Sequence, residues 1–407
     1  MTGSPLTAPW LAVVGIGEDG LDGLAPPARA QFDAAEILVG GTRHLAMVPD
    51  DGRPRLCWPS PLTALIETLA GWRGQRVCVL ASGDPQWFGV GTTLSRHFSA
   101  AEMVIIPNVS SFSLACARLH WPIDPVECIT LHGRRLDSVG RTLQPGARIV
   151  ALSTDGTTPA ALAALLVRHG YGASRLTVLE HLGGPAERRI ESTAATWTVP
   201  VVADLNTVAI ECPAHPEARL LPLVPGLPDA AFAHDGQLTK REVRAITLAA
   251  LAPVPGQLLW DVGAGSGSVA IEWLRSHPRN RAIAIERDPQ RGERIQSNAA
   301  NLGVPALKLV AGLAPAALTG LEPPDAIFVG GGVATPGLIA ACWAALSAGG
   351  RLVANAVTLE GEAVLYTHWH QFGGDLRRLA ISHAEPIGGC TGWRAAMPVT
   401  QWAAIKP

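Results

Sequence analysis

The segment Asp261-Val-Gly263-Ala-Gly265-Ser-Gly267-Ser268 concentrates what a nucleotide-like ligand needs from a backbone. It closes a short apolar run and opens an amphipathic one. Glycines let the chain turn tightly and approach a ligand, and a helix start offers free N–H groups. A dinucleotide fingerprint would carry its last glycine where Ser268 stands. The next apolar run ends in Glu286, a carboxylate able to accept both hydroxyls of a ribose. Together these features favour S-adenosylmethionine over a nicotinamide dinucleotide. The bland explanation is a tight turn followed by a solvent-exposed glutamate.

The first half of the chain carries shorter signals. Val14-Gly15-Ile-Gly17, Ala81-Ser-Gly83-Asp84-Pro85, Gly89-Val90-Gly91, Ile106-Pro107-Asn108-Val-Ser110-Ser111 and Leu131-His132-Gly133-Arg134 each follow a strand-like run. In an open α/β sheet that is the ligand edge. Taken singly, each is an ordinary turn, since Gly, Asp, Pro and Ser favour turns for local reasons.

The elements that must position these residues alternate strand-like and helical runs in two series. The first series holds strand candidates at 10–15, 36–39, 76–80, 102–106, 127–131, 148–152, 176–179 and 201–210, with helices at 62–72 and 111–119. Apolar runs of this length bounded by Gly and Pro read as parallel strands buried on both faces. Between Cys212 and Gly236 stand Pro213, Pro216, Pro222, Pro225 and Pro228, which favour extended chain and mark a linker. The expected organisation is 1–211, a linker at 212–231, and 232–407. The second series has a helix at 239–251 and strands at 258–262, 282–285, 307–310, 325–329 and 351–354. Helices at 266–275, 290–302 and 336–346 cross over, and 376–382 with 395–402 close the sheet as an antiparallel pair. The fold class is α/β, with a doubly wound second half.

The chain has 407 residues, 48% hydrophobic and 16% charged, with 32 Lys+Arg against 34 Asp+Glu. That excludes general disorder, and the absence of a basic excess argues against a nucleic-acid partner. No window reaches the ~18 uninterrupted apolar residues of a membrane span. Met1–Trp10 lacks the charge and apolar core of a signal peptide. The cysteines number seven with no C-x-x-C pair, which reads as free thiols in a reducing cytoplasm. His368 and His370, two apart on a helical run, point to different faces, so no metal is expected.

A family resemblance adds to this. Thr239-Lys-Arg-Glu-Val-Arg244, the glycine loop, Ala284-Ile-Glu286-Arg-Asp288-Pro, Asn298-Ala-Ala-Asn301, Gly312-Leu-Ala314-Pro315, Phe328-Val-Gly330-Gly-Gly332 and Gly349–Val357 resemble the C-terminal half of the precorrin C5,15-methyltransferases (decarboxylating) of cobalamin biosynthesis. The match runs through roughly 232–407. Glu36–Leu45, Ala81–Leu94, Pro107–Ala117, Leu131–Arg134, Glu180-His-Leu-Gly183, Glu187-Arg188 and Leu205-Asn206 are similar to the tetrapyrrole methyltransferases that lack a glycine-rich nucleotide loop, over roughly 9–211.

The resemblance implies a two-lobed tetrapyrrole methyltransferase fold followed by a Rossmann-like one, each with its own S-adenosylmethionine. It places Gly83, Asp84, Val90, Ser110 and Ser111 near the first cofactor. Thr239, Gly263, Gly265, Gly267, Glu286, Arg287, Gly312, Leu313, Ala314 and Gly330 fall near the second. Many methyltransferases of the second fold carry an acidic residue where Leu313 stands, so adenine would be held by backbone around Leu313 and Ala314. By resemblance the first domain methylates C5, and the second methylates C15 and decarboxylates the C12 acetate, taking precorrin-6B to precorrin-8X.

A substrate with several acetate and propionate groups calls for cationic side chains. His132, Arg134, Lys240, Arg244 and Arg394 are the favoured substrate-binding residues, with Arg43, His44, Arg135, Arg241 and His383 as further candidates. No catalytic base or proton donor is identifiable from the sequence. The resemblance also implies a homo-oligomer, with a tetramer through the second domain. The alternative reading is a single-activity methyltransferase for another small molecule, with the first domain a substrate-binding scaffold.

Overall fold

Short Val-, Leu- and Ile-rich runs become strands wherever Gly, Pro or Asp stops them. The computed structural model describes residues 9–59, 63–216 and 218–407. Two units emerge. One holds the chain up to Arg134 and Pro145–Ala218, and the other holds Arg135–Gln144 and Arg219–Pro407.

The first unit contains two five-stranded sheets. In the first sheet β1 (Leu11–Ile16), β2 (Ile37–Gly40), β3 (Arg55–Cys57), β4 (Val77–Ser82) and β5 (Met103–Ile106) are all parallel, in the order β3-β2-β4-β1-β5. Helices α1 (Pro26–Ala34), α2 (Thr42–Ala46), α3 (Thr63–Gly71) and α4 (Val90–Leu94) connect them. Alternate residues of β1 enter opposite layers, as strand geometry requires. Leu11 and Val13 pack with Leu65, Leu69 and Leu94, while Ala12, Val14 and Ile16 pack with Ala28 and Phe32.

After α5 (Ser111–Leu119), the second sheet is built from β6 (Val126–Thr130), β7 (Arg148–Leu152), β8 (Arg175–Glu180), β9 (Arg188–Thr193) and β10 (Asn206–Glu211), with α6 (Thr158–Arg168) between β7 and β8. The order is β6-β7-β10-β8-β9. Strand β6 is parallel to β7, but β10 runs antiparallel to both β7 and β8. The all-parallel expectation is therefore wrong for this sheet. A strand buried along its length reads as an apolar run whichever way it points, so the sequence pattern carries no direction. One consequence is that β6, β7 and β8 share a direction and present their carboxyl ends at one edge. Strands β3 and β9 escaped the sequence reading because β3 is three residues long and β9 is polar and largely exposed.

In the second unit α7 (Arg241–Leu251) precedes β11 (Leu258–Val262), α8 (Ser268–Ser276), β12 (Arg281–Glu286), α9 (Pro289–Asn301), β13 (Lys308–Ala311), β14 (Ala326–Val329), α10 (Leu338–Ala345), β15 (Arg351–Ala356) and α11 (Leu359–Phe372). The chain closes with β16 (Asp375–Leu379), β17 (Ser382–Ile387), β18 (Cys390–Ala395) and β19 (Val399–Ile405). The sheet order is β13-β12-β11-β14-β15-β19-β16, with β19 antiparallel to its neighbours β15 and β16. This is a doubly wound sheet that reverses at β11, with a ligand crevice expected at the strands' carboxyl ends. The expected antiparallel closure is present. The β17–β18 hairpin between its two strands was not anticipated.

The proline-rich stretch is no loose connector. Leu221, Leu227 and Phe232 are buried in the second unit's core beside Leu248 and Trp273. The segment Arg135–Gln144 belongs to this unit as well. The Arg141 Nε donates to the Arg275 carbonyl at 3.0 Å, and the Gln144 amide donates to the Leu221 carbonyl at 2.7 Å. Among the described residues no helix is long and apolar enough to cross a membrane.

Candidate functional site

The carboxyl ends of β11, β12, β13 and β14 converge in the second unit. The N–H groups of Gly263 and Ala264 donate to the Ile285 carbonyl, that of Gly312 to Glu286, and that of Gly330 to Val262. Gly263, Gly265 and Gly267 all have positive φ, which side-chain-bearing residues rarely adopt. A Cβ on Gly263 would lie 2.9 Å from the Gly331 backbone, so two glycine loops touch here. Glu286 is buried, and its carboxylate accepts from the Gly265 N–H at 2.9 Å and the Asp288 N–H at 3.0 Å. Each oxygen keeps a further lone pair for a diol. The bland reading of an exposed glutamate is thereby overturned.

The glycine loop also holds unsatisfied polar atoms. Asp261 Oδ2 accepts from the Ala270 N–H at 3.0 Å, while Asp261 Oδ1 and Ser266 Oγ are buried without a partner among the described residues. Burial pushes the Asp261 carboxyl up to about 7, with the nearby Glu286 charge adding to the effect. Leu313 is 56% exposed beside Gly312. A nucleoside-bearing ligand with a diol fits this arrangement: a backbone cradle, a fixed carboxylate and an apolar lip.

The first unit builds its edge differently. A Cβ on Gly15 would lie 1.9 Å from the Gly83 carbonyl and 2.5 Å from the Asn108 N, so the ends of β1, β4 and β5 interlock. Gly83 has positive φ, and a Cβ there would stand 3.1 Å from Ser110 Cα. Gly83 and Ser110 are thus brought together. Ser110 caps α5, accepting from the Ser113 N–H at 3.1 Å, with Ser111 as the first helical residue. Asp84 turns its carboxylate to the Gln86 N–H at 2.8 Å, and Val90 is buried at the start of α4. These loops leave a backbone-lined edge on which a ligand can lie.

Two family models match separate stretches of the chain. Residues 11–197 match the tetrapyrrole (corrin/porphyrin) methylases, and residues 230–406 match a precorrin methyltransferase domain. A Sinorhizobium protein named precorrin-6Y C(5,15)-methyltransferase [decarboxylating] is 51% identical over 98% of this chain and 97% of its own length. A Mycobacterium tuberculosis protein of the same name is 46% identical over 97% of this chain and 100% of its own. The chain belongs to the precorrin-6Y C5,15-methyltransferase (decarboxylating) family. The crystal structure of a C-terminal domain of this name from Rhodobacter capsulatus is 49% identical. It covers 46% of this chain and 100% of that one, with a TM-score of 0.44.

Family membership makes the placement of the cationic residues pointed. His132 and Arg134 are exposed after β6, at the edge that β7 and β8 share. The Arg134 guanidinium stands 5.2 Å from the Phe88 ring, on the loop that follows Gly83. Arg43 and His44 are not free: both contact Ser82, and Arg43 is also paired with Glu18. Burial, reinforced by the Arg43 charge, lowers the His44 imidazole to about 4.

In the second unit one expectation needs correction. Arg244 is 0% exposed and cannot bind substrate carboxylates. It pairs with Glu272 at 2.6 Å, and its other nitrogens go to Asp229 and to the Thr239 and Leu227 carbonyls. Glu272 in turn accepts from the Gly226 and Leu227 N–H groups. This network fastens the proline-rich segment to α7 and α8. Thr239 therefore enters through its carbonyl. Lys240 is exposed at the α7 N-cap, 3.8 Å from Asp229. Arg287 is exposed, Ala314 is buried, and Arg394 sits on the β17–β18 hairpin paired with Glu385 at 3.1 Å. Asn298, given no role from sequence, donates to the Ser266 and Ala233 carbonyls and accepts from the Ala233 N–H. It ties the glycine loop to the chain entering α7. His368 Nδ1 and the Val364 carbonyl are 2.9 Å apart, and His370 packs edge-on against Tyr366. Among the described residues no group of three or more His, Cys, Asp or Glu gathers to hold a metal.

Proposed function

We propose that this chain carries two S-adenosylmethionine-dependent C-methyltransferase sites acting on one tetrapyrrole. The first unit methylates C5. The second methylates C15 and removes carboxylate from the C12 acetate, so that precorrin-6B becomes precorrin-8X. The observation carrying this reading is identity that runs through both units to relatives named for both methylations and the decarboxylation.

In each site the cofactor supplies an electrophilic methyl on a sulfonium. In the second unit Gly263, Gly265 and Gly267 would bring their backbone to it, Glu286 would take the ribose hydroxyls, and Leu313 would cover the adenine. In the first unit Gly83, Asp84, Val90, Ser110 and Ser111 would line it. The nucleophile is an electron-rich carbon of the macrocycle, so the protein's main task is alignment of the reacting atoms, ~3–3.5 Å apart. Decarboxylation uses the protonated macrocycle as electron sink and requires a proton donor beside the ring.

His132, Arg134 and Lys240, all exposed, would meet the substrate's carboxylates. The exposed β17–β18 hairpin, with Ile387 and Trp393 turned outward and Met397 exposed just after it, supports self-association through the second unit. A cytoplasmic location suits seven thiols without a disulfide.

The test is mass spectrometry of precorrin-6B incubated with the protein and S-adenosylmethionine. Gain of two methyl groups with loss of one carbon dioxide is expected. Calorimetry should find two cofactor equivalents per chain. One equivalent, with a single methylation, would overturn the two-site reading.

A further inference from the structure

Methylation at C5 leaves a proton that some group must remove, and the sequence names none. The first unit contains a candidate at the junction of its two sheets. Glu18 follows β1 directly after Gly17, and His181 follows β8, at the carboxyl edge that β8 shares with β6 and β7. His181 Nδ1 and Glu18 Oε2 are 3.0 Å apart. The other Glu18 oxygen is paired with Arg43, whose guanidinium also donates to Ser82 Oγ at 2.7 Å. The carboxylate is thus held from behind, with its side chain only 16% exposed.

The backbone is shaped for this contact. His181 adopts φ +47°, an uncommon conformation for a residue with a side chain. Its N–H donates to the Leu205 carbonyl at 3.1 Å. A Cβ on Gly184 would lie 2.6 Å from the Glu18 Cβ, so that glycine permits the approach. Among the described residues no protein group bonds His181 Nε2, and the side chain is 34% exposed.

We propose that His181 is the general base of the C5 methylation, with Glu18 as its positioning residue. This rests on the functional reading above. An ionised carboxylate only accepts, so it holds the proton of neutral His181 on Nδ1 and leaves a lone pair on Nε2. In the reaction an electron pair of the macrocycle forms the C5–methyl bond as the methyl–sulfur bond breaks, its pair staying on sulfur. C5 then carries both methyl and hydrogen, and the macrocycle is one charge more positive. Nε2 takes the C5 proton, the C–H pair returns to the ring and restores conjugation, and the resulting imidazolium faces the Glu18 carboxylate. His44 is unsuited to this role, because it is buried and its Nε2 is already shared between Arg43 and Ser82. The charged groups around His181 are Glu18 on the β1 loop, Arg43 behind it, Glu180 with its partner Arg188 on β8 and β9, and Glu187, which accepts from the Gly183 N–H.

The test uses the full chain with S-adenosylmethionine and precorrin-6B, following C5 and C15 methylation separately by NMR with a labelled methyl. His181→Asn keeps a donor for Glu18 but no base. It should slow single-turnover C5 methylation ~10²–10⁴-fold while cofactor binding and C15 methylation hold. Free imidazole should recover at least about tenfold of the rate lost in His181→Ala. Nitrogen-15 NMR of the protein should find neutral His181 protonated on Nδ1, and Glu18→Ala, which removes the acceptor, should move that proton toward Nε2. A His181→Asn rate within about threefold of wild type, or an unchanged tautomer in Glu18→Ala, would overturn the proposal. Wild-type protein that transfers no methyl to C5 would instead bring down the functional reading on which it rests.

Discussion

The two units offer a ligand the same kind of edge and build it from opposite resources. In the second unit the cradle is nearly continuous in the chain: five residues, Gly263–Gly267, and one carboxylate, Glu286, bonded to the loop's own N–H at 2.9 Å. In the first unit the edge is assembled from the ends of β1, β4 and β5, with Gly15, Gly83 and Asn108 interlocking. Each piece there is an ordinary turn, and the edge exists only through their convergence. The units also use their arginines differently. Arg244 and Arg275 in the second are 0% and 1% exposed and serve the fold, while Arg134 in the first stands exposed on the ligand edge. Cation identity therefore says little about role until burial is known.

This contrast can be broken at several points, and the largest effect is expected at Arg244. Replacing it with alanine leaves Glu272 buried without its charge partner, a change worth about 3–5 kcal/mol. The second unit should lose that stability in chemical denaturation, and the cofactor binding proposed for the first unit should persist by calorimetry. An Arg244→Ala protein of unchanged stability but raised substrate KM would restore the arginine to a binding role. Next comes Glu286→Ala. Loss of hydrogen bonds to an ionised group is worth about 1.5–3 kcal/mol, so cofactor affinity at the second site should drop roughly 10–100-fold. The first site should be untouched. Equal weakening of both sites would mean that the units are not independent.

How much of this was legible in the sequence follows the same division. The second unit's strands, crossover helices and glycine loop were readable because a doubly wound sheet repeats one local pattern, strand, tight turn, helix, with local signals at each step. Its errors were local too. Arg244 looked like a surface cation because a helical pattern reports a face and not what lies against it. Exposed, mixed-polarity β17–β18 offers no periodic face, so it went unseen. In the first unit the direction of β10 was invisible, since Asn206–Ile210 is buried whichever way it runs. The Glu18–His181 pair could not be read at all. Its members lie 163 residues apart, joined only by the meeting of two sheet edges. A positive-φ residue such as His181 has no composition signal, although Gly183 and Gly184 beside it mark a turn that approaches something closely.

The units are also separated by pH. Asp261 is held above its ordinary value by burial, to about 7. A carboxyl raised in the folded state contributes stability that is present at low pH and lost as pH rises through about 7. The second unit should therefore lose stability between roughly pH 4 and 7, by at most ~1.4 kcal/mol per pH unit. Asp261→Asn should flatten that slope, measured as denaturation midpoints across the window. The first unit should show no matching change in the same variant. A slope identical in both proteins would assign the pH dependence elsewhere.

The smallest effect is expected at Arg134, and it bears most directly on the contrast. Its guanidinium lies 5.2 Å from the Phe88 ring and has no carboxylate partner among the described residues, so its charge is available. Phe88 itself has positive φ and is 43% exposed, on the turn between Asp84 and Gly89. An arginine stacked on an aromatic ring keeps its fork in one plane, which suits bidentate carboxylate recognition. A single exposed charged hydrogen bond of this kind is worth about 1.5 kcal/mol, so Arg134→Ala should raise the tetrapyrrole KM of the C5 step roughly tenfold with kcat little changed. Arg134→Lys should recover only part of this, because lysine keeps the charge and loses the fork. Full recovery by lysine would mean that Arg134 acts as a point charge and that Phe88 plays no part in orienting it. An unchanged KM in Arg134→Ala would leave the first unit without a cationic anchor at this edge and would turn attention to His132.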